Sequence, residues 1–522
     1  MNFKREKEKL YSRNFTKWGF DMNVFVSAVT ALLVLAFSLF TILKPNLSAE
    51  FFGNANTAIN ANFNWLYIFT VNASLAFLLF IGFSKFGNIR LGGYTAKPEF
   101  SDIAWFAMMF SAGIGIGIFF YGVAEPIMHL NIPEAHQSGS QFDNFKVMYL
   151  HYGVHAWAIY MIFAIGLGYF SYNKGLPFAV RSLFYPLLKE KIYGIWGHVI
   201  DTIATLAVLF GLATSLGLGA RQINAGLNYV FNIPNTPNVQ VILIIFITLI
   251  ATVSVVSGVS KGIKWLSEAN LVITSILLIG ITLIGPTVYI FSTYISSMGV
   301  YFRDIISSGL FVAIEPNDVV WQGAWTIFYL AWWIAWAPFV GTFIARISKG
   351  RTIRQLALGG LTLPTIVITL SMTILGASGV KLNEINNGAI AKAIDSDIAI
   401  SLFEMFRYLT ESNILQMALS IVAVIAVMIF FVTSSDSGSL VVCSLTSSGK
   451  STVPKIQRIF WAFLEGTIAI SILLIGGEAA LTTLQSAVII LGLPFSIILL
   501  IIIFSLAKEL QHSYKKYSHN QN

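Results

Sequence analysis

The chain of 522 residues holds a single cysteine, Cys443, and only 11% of its residues are charged. One cysteine excludes a disulfide framework and any metal site built on several thiolates. Soluble domains carry about 25% charged residues, so a soluble multidomain enzyme is excluded at the outset. The first 21 residues are charged and lack a short apolar core followed by small residues, so no signal peptide is expected. Alternating segments of about ten residues, the mark of an outer-membrane barrel, are also missing.

What the sequence has instead is apolar length. Hydrophobic residues make up 56% of it. A hydrocarbon core about 30 Å thick takes roughly 20 apolar residues per helix. About twelve such runs are present, near 23–43, 64–83, 102–121, 149–171, 201–229, 238–258, 267–294, 321–345, 356–376, 413–435, 459–476 and 485–506. Only helices and closed barrels satisfy their backbone in lipid, so the expected fold is an all-α integral membrane protein of twelve helices.

The cations are not scattered evenly. With the N-terminus inside, the inner segments hold most of the 32 Lys and Arg, among them Lys4, Arg5, Lys7, Lys9, Arg13, Lys85, Arg90, Arg346, Lys349, Arg351 and Arg354. The bias predicts both termini in the cytoplasm of a bacterial-type inner membrane. It also turns the net charge of +8 away from nucleic acid and towards anionic lipid. The polar stretch 377–412 is expected to form a small extracellular helix. The segment 297–316, with Val300, Phe302, Ile305 and Ile306, is expected to form an amphipathic surface helix.

Two apolar runs are interrupted. The third contains Ser111-Ala112-Gly113-Ile114-Gly115-Ile116-Gly117, and the eighth contains Trp332-Trp333-Ile334-Ala335-Trp336-Ala337-Pro338. Broken helices at corresponding places in two repeats mark transporter sites. Their spacing suits two inverted five-helix repeats, helices 3–7 and 8–12. Each Gly weakens a helix by about 1 kcal/mol relative to Ala and lets a ligand approach the backbone. Close helix packing through small residues is the other reading of the run. Membrane Trp normally sits at the interfaces, yet Trp332, Trp333 and Trp336 fall mid-helix. The fourth run adds Tyr152, Trp157 and Tyr160. An aromatic face binds quaternary ammonium by cation–π attraction.

The tenth run closes on Phe430-Phe431-Val432-Thr433-Ser434-Ser435-Asp436. Its hydroxyls suit Na⁺, or bond back to their own helix. His151 and His155 are four apart, but no carboxylate or Cys completes a metal set and neither lies in a HExxH pattern, so no metal site is expected there. Arg221 is expected to reach the outer surface, Asp201 and Glu268 to be solvated at helix ends, and Asp436 to serve helix-end polarity. An enzyme would need convergent acid–base groups within the spans, and none are apparent. A channel would need a polar pore, whereas the broken helices are capped by aromatics.

At these residues the chain resembles the betaine/carnitine/choline transporter family. The matching stretches are SAGIGIG with FFYGVAEP at Phe119–Pro126, WTIFYLAWWIAWAPFVGTFIARISKGRT at Trp325–Thr352, and FFVTSSDSGS at Phe430–Ser439. The resemblance implies a LeuT-like inverted-repeat core. Expected domains are a tail at 1–22, two peripheral helices at 23–100, a first repeat at 101–296, an amphipathic linker at 297–320, a second repeat at 321–506 and a short tail at 507–522. It implies no enzyme activity and no cofactor, a small quaternary-ammonium substrate, a homotrimer in membrane lipid and no nucleic acid. The aromatic box would be Tyr152, Trp157, Tyr160, Trp332, Trp333 and Trp336, with Gly113, Gly115 and Gly117 facing the substrate carboxylate. Na⁺ would use backbone oxygens of Ser111, Ile114 and Phe430 and the hydroxyls of Thr433 and Ser434.

Departures from the family pattern sharpen the expectation. Tyr152 stands where some relatives have Trp. Gly117 stands where choline-preferring relatives tend to carry Asp, which favours a zwitterion, glycine betaine first. Val208 and Leu212 stand where some relatives have two threonines of a second sodium site and offer no oxygen, so at most one Na⁺ per cycle is expected at the two sodium sites together. Leu271, beside Asn270, replaces the Arg of sodium-independent exchangers. The expected function is Na⁺ symport of glycine betaine by alternating access; the alternative is a proton-coupled choline or carnitine importer.

Overall fold

The computed structural model describes residues 3–113, 115–134, 137–256 and 260–519. Its described residues form helices and turns, with two isolated antiparallel bridges, Phe15–Met22 and Arg90–Thr352, and no named strand. Among the described residues ten helices are long and apolar enough to cross a membrane. They account for ten of the expected runs. The other two are the third, which is broken, and the shorter apolar helix Pro237–Val256. The protein is an all-α membrane protein.

Burial separates centre from rim. In the Ile195–Phe231 and Pro316–Ile347 spans 94% of the apolar window is buried, against 33% in Val24–Leu43 and 22% in Leu266–Ile284. The central helices are apolar all round because protein surrounds them, whereas the rim helices turn Leu32, Leu39, Ile276 and Leu283 outwards. Ile195–Phe231 is the hub. It packs on Asn413–Thr446, Gly477–His519, Phe328–Ile347 and Lys455–Leu473. Gly211, Gly217 and Gly219 on it lie under Trp336, Leu484 and Ile116, the small-residue contacts by which membrane helices approach.

Several boundaries differ from the apolar runs. The seventh span ends at Ile284, because Gly285-Pro286 breaks it, and the amphipathic helix runs Thr287–Gly309 rather than from 297. The tenth helix continues past 435 to Thr446, since serines inside protein need not end a helix. The stretch 377–412 holds the end of Gly360–Ile385 and two short helices, Ala389–Ser396 and Ser401–Leu409.

The ionic groups also correct the sequence reading. Asp201 is wholly buried, not solvated: it accepts from Arg181 Nε at 2.6 Å and from the Arg181 backbone at 2.9 Å. Asp436 is 1% exposed and pairs with Arg458. Arg221 reaches Asp397 at 3.0 Å and so ties the hub to the 377–412 segment.

Candidate aromatic substrate site

The third run forms Asp102–Gly113, restarts at Gly117–Tyr121 and again at Ala124–Met128. Ser111 lies in the last turn before the break, where helix carbonyls lack an intrahelical partner. Ile114 lies outside the described residues. A side chain at Gly113 would collide with the Trp157 ring, one at Gly115 would stand 3.0 Å from Trp336, and one at Gly117 3.3 Å from the Tyr152 hydroxyl and 3.5 Å from Trp332. The glycines are therefore where backbone meets aromatic faces. These contacts are the close packing of one reading of the run, and they fall at the helix break of the other.

The fourth expected helix is also broken, which the sequence reading missed. Asp143–Tyr152 stops and Val154–Gly168 begins across Gly153. A Cβ at Gly153 would meet the Tyr149 carbonyl at 2.5 Å and the Tyr301 hydroxyl at 2.7 Å. The break brings Tyr152 and Trp157 from two helices to one wall.

The eighth helix, expected to be interrupted, runs unbroken through Pro338 over Phe328–Ile347, and on it Trp332 and Trp333 stack with ring centroids 5.0 Å apart and planes 10° from parallel. Trp336 meets both edge-on, at 6.3 and 6.5 Å. Tyr160 stands 5.7 Å from Trp157 and 6.5 Å from Trp333. One pocket is lined by Gly113, Gly115, Gly117, Tyr152, Trp157, Tyr160, Trp332, Trp333 and Trp336, together with Ile118, Ala156 and Ile368. All nine sequence-derived substrate residues are thus brought together. The three further residues are small or aliphatic, and nothing in sequence separates them from core.

The candidate sodium ligands are placed differently. Phe430 lies mid-helix, and its ring meets Phe119 at 6.1 Å. Thr433 donates to the carbonyls of Ile429 at 2.9 Å and Phe430 at 3.1 Å. This back-bonding spends the hydroxyl proton and leaves oxygen lone pairs to accept a cation. Ser434 is half-buried beside it. Val208 and Leu212 are buried and offer no oxygen. Leu271 is 36% exposed and turned away from the core, while Asn270 is buried.

One premise of the sequence reading is corrected. His151 does have a carboxylate beside it: Glu125 Oε1 lies 2.6 Å from its Nδ1 and 3.4 Å from His129 Nε2. The third helix delivers Glu125 and His129, far away in sequence. His155 takes no part and packs against Gly309. Two ligands of one tetrahedral zinc stand roughly 3.3 Å apart, so the 2.6 Å spacing is that of a hydrogen bond. Sequence reasoning also missed Glu465, wholly buried on Lys455–Leu473.

Comparison with known proteins agrees with this architecture. The profile of the betaine/carnitine/choline family transporters matches residues 25–515. Glycine betaine transporter 1 of Vibrio parahaemolyticus is 41% identical over 508 residues, covering 94% of each chain. A glycine betaine/proline/choline/ectoine transporter of the same organism is 40% identical over 97% of this chain and 90% of its own. The glycine betaine transporter of Acinetobacter baylyi is 40% identical over 94% of this chain and 73% of its own. A broken helix over an aromatic pocket, in a multi-pass membrane protein with this likeness along nearly its whole length, makes the chain a transporter and not an enzyme, and it belongs to the betaine/carnitine/choline transporter family.

Proposed function

We propose that the protein imports a trimethylammonium osmolyte, glycine betaine first, by Na⁺ symport with alternating access. The observation that carries the reading is the closure of Trp157, Tyr160, Trp332, Trp333 and Trp336 over Gly113, Gly115 and Gly117 in one buried pocket. Rings on one side supply cation–π attraction, about 2 kcal/mol or more when desolvated. On the other side a broken helix supplies backbone amides to a carboxylate. A zwitterion satisfies both, and Gly117 brings no charge of its own. The relatives whose names specify glycine betaine support the same choice.

Na⁺ takes the Ser111 carbonyl, the Thr433 and Ser434 hydroxyls, and backbone oxygens of Ile114 and Phe430 in this reading. The two five-helix halves act as inverted LeuT-like repeats, and the helices rock about the central pocket. In this reading the chain is a homotrimer, on the strength of the family resemblance alone, and sits in a bacterial inner membrane with both termini cytoplasmic, on the strength of its loop cations.

Uptake of labelled glycine betaine and choline into proteoliposomes, with Na⁺ and proton gradients imposed separately, tests the proposal. Betaine uptake driven by Na⁺ is expected. Choline uptake driven by protons, with betaine inert, would overturn both substrate and coupling ion.

A further inference from the structure

Behind the aromatic pocket runs a buried polar chain that the proposed function does not use. Glu125 Oε1 accepts from His151 Nδ1 at 2.6 Å, and Oε2 accepts from the Tyr329 hydroxyl at 2.6 Å. The Tyr329 oxygen lies 3.2 Å from the Tyr152 hydroxyl. Tyr152 lies 3.3 Å from the Gly117 carbonyl oxygen. The outer end is fixed by His151 Nε2, 3.0 Å from the Thr326 hydroxyl. Glu125, His151, Tyr329 and Tyr152 are each under 5% exposed. The chain begins at a carboxyl and ends at the wall of the pocket.

Counting protons gives the chain a direction. An ionised carboxylate only accepts, so His151 and Tyr329 both donate to Glu125. Tyr329 has then spent its one proton, and its oxygen accepts from Tyr152. Tyr152 in turn has one proton, which goes to Tyr329 and not to Gly117. Linked hydrogen bonds of one sense polarise one another. A phenol donating into an anionic chain holds more electron density in its ring, and a more negative ring face attracts a cation more strongly. Were Glu125 neutral, it would donate to Tyr329, and the Tyr152 proton would be free to turn to Gly117.

We propose that Glu125 is a positioning residue for the substrate site: through Tyr329 it keeps the Tyr152 proton turned away from the Gly117 carbonyl and enriches the Tyr152 ring, tuning that wall for the trimethylammonium group. This gives a Tyr at position 152, a weaker cation–π partner than Trp, a means of compensation. The inference rests on the reading of the pocket as a trimethylammonium site.

A double-mutant cycle on the purified full-length protein tests it, with glycine betaine as the probe and tryptophan fluorescence and uptake KM as readouts. Glu125→Gln and Tyr152→Phe should each weaken binding about five-fold, roughly 1 kcal/mol. The double variant should be no weaker than either single one, because both act through one hydroxyl. A purely structural role for Glu125 would give multiplicative losses instead. Multiplicative losses, or wild-type affinity in Glu125→Gln, would overturn the inference and leave the proposed function standing. Wild-type protein that bound no glycine betaine would overturn both. If Glu125→Gln does not fold, Tyr329→Phe, which removes one oxygen from the same chain, takes its place in the cycle with the same expected non-additivity.

Discussion

The indole N–H of Trp333 donates to the backbone carbonyl of His151 at 2.8 Å. That carbonyl is free because Asp143–Tyr152 ends one residue later, and the last four carbonyls of a helix lack intrahelical partners. The broken fourth helix thus supplies the anchor for a pocket-lining residue on the eighth. Trp332 and Trp336 have no partner for their indole nitrogens among the described residues. They are held by ring contacts alone, Trp336 lying between Gly211 and Gly115.

Replacing Trp333 or Trp336 by Leu keeps an apolar side chain and removes the π face. Affinity for glycine betaine should fall by at least about 1 kcal/mol in each, read by fluorescence titration or calorimetry. Trp333→Leu should lose the more, because it also leaves the His151 carbonyl without its donor. Unchanged affinity in both variants, at normal expression, would remove the aromatic-box assignment.

The glycines should respond in a graded order. Gly113→Ala drives a methyl into the Trp157 ring, Gly115→Ala stands 3.0 Å from Trp336, and Gly117→Ala stands 3.3 Å from the Tyr152 hydroxyl. Uptake should therefore fall most for Gly113→Ala and least for Gly117→Ala. The reverse order would show that backbone unwinding, not ring contact, sets the tolerance.

Gly117→Asp places a carboxylate by the pocket. Choline carries a net positive charge and should gain; glycine betaine brings its own carboxylate and should lose. Competition of unlabelled choline against labelled betaine measures the switch. No change in the ratio would argue against a role for Gly117 in selecting the zwitterion.

Asp201→Ala leaves Arg181 as a buried cation without its carboxylate. Breaking such a pair costs about 3–5 kcal/mol, and the loss should appear as a lower midpoint of thermal unfolding in detergent. Asp436→Ala should cost less, because Arg458 keeps 11% of its side chain exposed. Equal effects would mean that burial of the cation does not set the cost.

Glu465 presents the opposite case. Both its carboxyl oxygens are buried and without a hydrogen-bond partner among the described residues. A polar group buried without compensation is costly, so Glu465→Leu should leave thermal stability unchanged or raise it. A drop of more than about 1 kcal/mol would show that the carboxyl has a partner in the folded membrane protein.

Much of the site was legible because its residues stand in local patterns. Gly113, Gly115 and Gly117 alternate, Trp332 and Trp336 are one helical turn apart, and a helical face can be counted off from sequence. The amphipathic segment was legible for the same reason, although its start was set by Gly285-Pro286, not by its apolar periodicity. The Gly153 break was missed because a lone glycine in an apolar run reads as a tolerated helix residue. Asp201 was misplaced because its partner Arg181 lies before its helix, in a segment whose return path the sequence does not show.

By itself the sequence determined the membrane, the helical class and the aromatic face of the eighth helix. Each follows from composition or from spacings of a few residues, which fix secondary structure and the side a residue faces. Tertiary structure alone decided the Glu125–His151–Tyr329–Tyr152 chain. It gathers residues from the broken third and fourth helices and the continuous eighth, and hydrogen bonds are made at about 3 Å, a distance that helical periodicity within any one segment does not encode.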